Sequence, residues 1–189
     1  MLWRALTNRT ILLSVWLVTL PALLFGTLAV LGPLRLSELG FGAVAIGATW
    51  LIASAIASAN NLALGRIADR FGPLTPVRAG LLGTVVATLL LPWPDARYLL
   101  AATIVFADVC FGMFYTPGLT LLTHGAEERG LDYGYAFALV NVAWAPGQAG
   151  GAAAGGAIAE ATSDAVPYLG LAAIALLTLA ALWRPGSSS

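Results

Sequence analysis

The sequence predicts an all-α integral membrane protein, a bundle of six transmembrane helices. Three observations carry this. Of 189 residues, 59% are hydrophobic and only 10% charged, with a mean hydropathy of +0.87. A soluble domain carries about 25% charged residues, so this chain has too little charge to cover a water-facing surface. Apolar windows long enough to cross a bilayer, about 17–25 residues, recur near 11–32, 43–64, 77–93, 98–122, 134–159 and 167–183. The nine basic residues, all arginine, segregate by side.

The windows differ in character. The first lacks a small-residue cleavage site and reads as a membrane helix, not a signal peptide. It is interrupted by Pro21 and Gly26, and Gly32-Pro33 with Gly40-Phe41-Gly42 closes the first hairpin. The second carries Asn60 and Asn61 and runs into the charged segment Gly65 to Gly72. The third holds little that is polar beyond threonine and ends at Pro92-Trp93-Pro94-Asp95, a tight turn. The fourth contains Asp108, the aromatics Phe111, Phe114 and Tyr115, and a second set of interruptions at Gly112, Pro117 and Gly118. Thr123 to Tyr133, with His124 and Glu127-Glu128-Arg129, is the longest polar stretch and reads as a solvated loop. The fifth window carries Asn141 and Gln148, and Glu160 to Pro167 separates it from a bland sixth. Interrupted, amide-bearing, bland, then the same again: this is a weak repeat of three helices. Three is odd, so the second triplet enters from the opposite side, a 3+3 inverted repeat.

With the N-terminus inside, Arg4, Arg9, Arg66, Arg70, Arg78, Arg129 and Arg184 lie on the inner side and Arg35 and Arg97 on the outer. This asymmetry makes both termini cytoplasmic and residues 1–189 a single transmembrane domain. Trp93, Tyr98 and Tyr168 are expected at the outer interface, and Trp3, Tyr133, Tyr135 and Trp183 at the inner one.

Several function classes are disfavoured. Zero net charge gives no electrostatic case for a nucleic-acid partner. Cys110 is alone, so no disulfide forms within the chain. No His, Cys or carboxylate group has metal-ligand spacing, and no cofactor is implied. An intramembrane protease needs a nucleophile with an intramembrane His, or His and Glu ligands within its helices. The single His sits in a loop, so no catalytic residue is assigned and the chain is not read as an enzyme.

Asp108 is the one ionisable residue placed inside a span. It lies ten residues after Tyr98, roughly 15 Å deep at 1.5 Å per residue. A charge at that depth costs about 2.5–3.5 kcal/mol on insertion scales. It must face a wet cavity, be protonated or have a partner. Either it is a proton or cation-substrate site, or it is a hydrogen-bonded structural residue. Tyr115, Asn141 and Gln148 are the further candidates for a cavity wall, against the alternative that the amides bond across helices and the aromatics pack. Gly147, Gly151 and Gly155, at four-residue spacing beside Pro146, form a small-residue stripe for close helix packing.

The segment Gly65-Arg66-Ile67-Ala68-Asp69-Arg70-Phe71-Gly72 fits G-x-x-x-[DN]-[RK]-x-G, and in that it resembles the conserved loop of the major facilitator superfamily of secondary transporters. Pro73-Leu74 then replace the basic residues usual after the last glycine. Ala145-Pro146-Gly147-Gln148-Ala149-Gly150-Gly151 loosely resembles the family's G-P-x-x-G-G motif, with Ala145 for the first Gly and one extra residue after Pro146. The resemblance implies that Gly65, Asp69, Arg70 and Gly72 form a conformational latch, the glycines allowing a tight turn. It further implies half of a two-half transporter, more like the C-terminal half. Helices 1 and 4 would line the cavity, 2 and 5 would meet the other half, and 3 and 6 would face outwards. The implied function is movement of a small solute by alternating access, with Asp108 the motive for proton coupling. The partners implied are the lipid bilayer, an unidentified small molecule, and a second half or a homodimer partner joined at the glycine stripe. The alternatives are a non-transporting accessory subunit or an inactive truncated half. All-arginine usage points to a GC-rich bacterial source and so to a multi-pass protein of the cell membrane.

Overall fold

The computed structural model describes residues 9–72, 74–127 and 133–183, which fold as six α-helices. They are α1 (Arg9–Glu38), α2 (Ala43–Phe71), α3 (Leu74–Leu90), α4 (Arg97–Glu127), α5 (Tyr133–Ala161) and α6 (Ala165–Trp183). Among the described residues, α1, α2, α4 and α6 are long and apolar enough to cross a membrane, and α3 is a shorter apolar helix. Helix α5 is built mainly of Ala and Gly, which dilutes its hydropathy.

The cross-helix contacts give the helix directions. Thr19 and Thr27 of α1 each donate to an α5 carbonyl, of Ala143 at 3.3 Å and Gly151 at 3.0 Å. The offset is 124 residues both times, so α1 and α5 run parallel. Likewise Asn61 of α2 meets Thr116 of α4, and Ser54 and Asp108 share a cleft about two turns earlier on each helix, so α2 and α4 are parallel. By contrast, Gly118 abuts Leu17 while Gly32 lies near Ile104, which makes α1 and α4 antiparallel. Helices α3 and α6 are antiparallel too, since Arg78 donates to the Leu182 carbonyl while Leu91 and Tyr168 meet at the other end. Odd helices thus run one way and even helices the other, the order of a chain that crosses at every helix.

Lipid tails are as apolar as leucine, so helices in a bilayer gain from close packing of small residues, not from hydrophobicity itself. The α1–α5 seam is built this way. A Cβ at Gly151 would strike the Leu23 backbone, one at Gly26 the Gln148 carbonyl, one at Gly147 the Ala22 Cβ at 2.9 Å, and one at Gly155 the Thr27 side chain at 2.8 Å. The stripe of Gly147, Gly151 and Gly155 is therefore occupied by α1, and a homodimer cannot form through it. Behind the seam, Leu17, Leu20, Leu24, Phe111 and Phe114 are fully buried between α1 and α4. Helix α3 closes on α4 through Gly80 and Gly83, whose Cβ positions would meet Met113 and Cys110.

The expected interruptions do not break the helices. Pro21 and Pro33 lie inside α1 and Pro117 inside α4. Each removes one backbone hydrogen bond, a loss that helices in a membrane bundle tolerate. The first helix continues past Gly32-Pro33 because Gly32 packs against Trp50 and Ile104. It stops at Gly40, φ +85°. There Phe41 N–H bonds to the Leu36 carbonyl and Gly40 N–H to that of Ser37, the paired capping that a left-handed glycine permits. The expected turn at Gly65 to Gly72 is likewise the end of helix α2, with only Gly72 at positive φ; Gly65 is an ordinary helical residue. Helix α4 runs on through His124 to Glu127, so that end of the expected loop is helical. Pro167 falls in the first turn of α6, where its missing N–H costs nothing.

Arg35, Glu38 and Asp95 meet at one end of the bundle, at 3.0 and 3.7 Å, near Arg97, whose guanidinium lies over Phe41 and Tyr98. Arg78 sits at the other end, over Trp183. Trp93, Tyr98 and Trp183 are exposed as expected of interfacial anchors, but Tyr168 is only 4% exposed and packs into the core. Trp3, and the side chains of Tyr133 and Tyr135, lie outside the described residues.

Gly151→Val is expected to destabilise the bundle by at least the usual overpacking cost of about 1–3 kcal/mol. Gly112→Ala, where a Cβ meets nothing within 4 Å, should be neutral or stabilising by up to about 1 kcal/mol. Thermal unfolding of the two variants in detergent checks the difference.

Candidate functional site

A cleft of about 280 Å³ opens where α1, α2, α4 and α5 converge. Phe25 comes from α1, Trp50 and Ser54 from α2, Asp108 from α4, and Trp144 and Gln148 from α5. Neither α3 nor α6 contributes to it.

Helical periodicity places Asp108 there. Ile104, Ala107, Phe111 and Phe114 form the fully buried stripe of α4. Asp108, half-buried, lies at the edge of that stripe and reaches the cleft. Among the described residues the ion pairs are those of Arg35 with Glu38 and Asp95, so none of the described cations is paired with Asp108. Three aromatic rings, of Phe25, Trp50 and Trp144, share the cleft walls with Leu28, Ala29, Ser54 and Gln148. Trp144 Nε1 donates to Gln148 Oε1 at 3.1 Å, one turn along α5. Its ring meets Tyr115 edge-on at 4.9 Å and Phe25 at 5.8 Å, and Phe25 packs edge-on against Phe111 at 5.5 Å. The rings form a continuous chain from the α4 core to the cleft wall, which fixes the Trp144 indole on both sides.

The sequence-derived candidates separate accordingly. Asp108 and Gln148 share the cleft. Tyr115 stands behind Trp144 and supports it. Asn141 is on the same helix but exposed and outside the cleft walls. Phe111 and Phe114 are core residues. Asn61 meets Thr116 on the exposed side of α2 and α4. Sequence reasoning missed Phe25, Trp50, Ser54 and Trp144. The two tryptophans carried a usable signal: Trp is enriched at membrane interfaces, and both lie well inside their helices.

At the end of α2, Asp69 and Arg70 are exposed. Arg70 lies over the ring of Phe71 at 5.3 Å, and among the described residues neither forms an ion pair. The bundle also has a larger hollow, about 540 Å³ between α1 and α6. Its walls are aliphatic apart from Trp16 and Thr178, which bond to each other at 3.0 Å, so nothing in it is left to orient a polar solute.

A family model described as Major Facilitator Superfamily matches residues 1–147. The match takes in α1 to α4 and the part of α5 that carries Trp144. No curated protein matched the sequence.

The cleft and the chain's single thiol allow a direct check of water access. Cys110 is buried, so a hydrophilic maleimide should leave the native chain unmodified. Ser54→Cys, placed on the cleft wall, should be labelled within minutes, read as a mass shift of one adduct.

Proposed function

The chain belongs to the major facilitator superfamily and is therefore a membrane transporter, and from that premise we propose that it moves a small solute through the Asp108 cleft by alternating access. The observation that carries this reading is the position of Asp108. An ionisable group in the apolar interior of a membrane protein is costly, and it is characteristically found on a solute or proton pathway. Here it opens onto a cleft formed by the two pairs of parallel helices, α1 with α5 and α2 with α4. The matching pair contacts also support a 3+3 inverted repeat, in which α1 exchanges with α4 and α5 with α2.

The cleft is one wall of a pathway. Only 11% of the apolar window of α2 is buried within the chain, and the helix presents Gly47, Ala48, Ser54, Ala55 and Ala59 among its exposed residues. Small residues suit close approach by another helix. A second six-helix unit facing α2 and α5 would complete the passage. The exposed Asp69 and Arg70 at the end of α2 would meet that unit in one of the two access states. Asp108 is the site of proton coupling in this reading, because its charge would change with each proton taken up or released in the cleft.

Reconstitution of the purified complex into proteoliposomes tests the proposal. A pH gradient should drive solute flux in the native protein, and Asp108→Asn should remove the gradient dependence. Flux that stays equally pH-driven in Asp108→Asn would refute its coupling role. Arg70→Ala should slow flux about tenfold or more, as loss of a charge-assisted contact of roughly 1.5–3 kcal/mol predicts, while solute binding measured at equilibrium stays within twofold. The mass of the complex in nanodiscs should correspond to twelve helices; a strict six-helix monomer would count against alternating access.

A further inference from the structure

We propose that the solute recognised in the cleft is an organic cation, a substituted ammonium carried on a small apolar body. The inference rests on the transport reading above and narrows it to a substrate class.

Charge decides first. Among the described residues, Asp108 is the only ionisable group on the cleft wall. Among the described residues the arginines are engaged away from the cleft or outside its walls: Arg35 with Glu38 and Asp95, Arg97 over Phe41 and Tyr98, Arg78 on the Leu182 carbonyl, and Arg66 and Arg70 exposed near the end of α2. An anion would therefore meet a carboxylate with no cation among the described residues to offset it, in a low-dielectric setting that strengthens the repulsion. A monocation would neutralise the one charge that the bilayer makes costly.

Hydrogen-bonding capacity decides next. A neutral polyol needs several donors and acceptors. The cleft offers only Ser54 and Gln148 besides Asp108, and the Gln148 carbonyl oxygen is already taken by the Trp144 N–H.

The aromatic rings then favour a soft cation. Trp50, Trp144 and Phe25 line the same cleft. The negative faces of aromatic rings attract cations, tryptophan most strongly, and quaternary ammonium groups are characteristic guests of aromatic cages. Contacts with Tyr115 and Phe25 and the bond to Gln148 hold the Trp144 ring in place, so little ordering remains for a ligand to impose. A substituted ammonium suits such walls better than a bare metal ion, which would demand several oxygen ligands.

Radiolabelled benzyltrimethylammonium, with the protein complex purified in nanodiscs, tests this. The expected result is saturable binding that excess unlabelled cation displaces and benzylsulfonate, the same ring with opposite charge, does not. Asp108→Asn should weaken binding at least tenfold and Asp108→Glu should recover most of it, which separates loss of charge from misfolding. Trp144→Leu should weaken it about two- to thirtyfold, the range of a cation–aromatic contact. Absence of saturable binding, equal displacement by benzylsulfonate, or unchanged affinity in Asp108→Asn would each overturn the inference. If binding is absent while Asp108-dependent, pH-driven flux of another solute persists, the substrate class is wrong and the transport reading stands. If that flux is absent as well, both fall.

Discussion

The close approach of α1 to α5 is the constraint on which the rest of the bundle depends. In a bilayer no water is released when two apolar helices meet, so the gain comes from packing and from hydrogen bonds that reach across. Glycine at positions 26, 147, 151 and 155 removes the side chains that would hold the two backbones apart. Thr19 and Thr27 then bond to carbonyls of the opposite helix while also bonding back to their own. Phe25, beside Gly26, reaches Trp144 only because the backbones are this close. If α5 stood one side chain further out, the aromatic chain from Phe111 to Tyr115 would part and the cleft would lose its defined wall.

The same economy explains why one carboxylate can sit in the middle of the molecule. Four helices supply the cleft, and the two that do not, α3 and α6, pack antiparallel on its outside with leucines such as Leu82 and Leu177 exposed. Asp108 lies at the rim of a buried stripe, not within it. It keeps access to the cleft while its neighbours on α4 anchor the helix against α1 and α3. The chemistry is concentrated in one residue, and the surroundings are rigid and aromatic. Such a site discriminates by charge and shape more than by a pattern of hydrogen bonds.

Much of this was legible in the sequence. Six apolar windows gave six helices, and Asp108 stood out as the sole interior charge. The stripe at Gly147, Gly151 and Gly155 pointed to a tight contact, though not to its partner, because spacing alone does not say which neighbour fills a groove. Proline and glycine misled in one respect. Gly32-Pro33 and Gly65 read as turns by local chemistry, yet both lie inside helices, because tertiary contacts or simple helical continuation override a weak local preference. The aromatic wall was invisible for a different reason. Phe25, Trp50 and Trp144 come from three helices, and nothing in a linear pattern records that they converge.

The constant spacing along the α1–α5 seam carries a consequence for how this chain can vary through descent. Its contacts recur in step over eight residues on each helix, from Thr19 to Thr27 and from Ala143 to Gly151. One residue inserted or deleted within either stretch would turn everything beyond it by about 100° around the helix axis. That would carry half of the small residues away from their partners at a single stroke. Substitution can be gradual here, but a change in length cannot. Relatives of this sequence should therefore show their gaps at the short connections, around positions 39–42 and 162–164, and keep an ungapped count through the seam even where few residues remain identical.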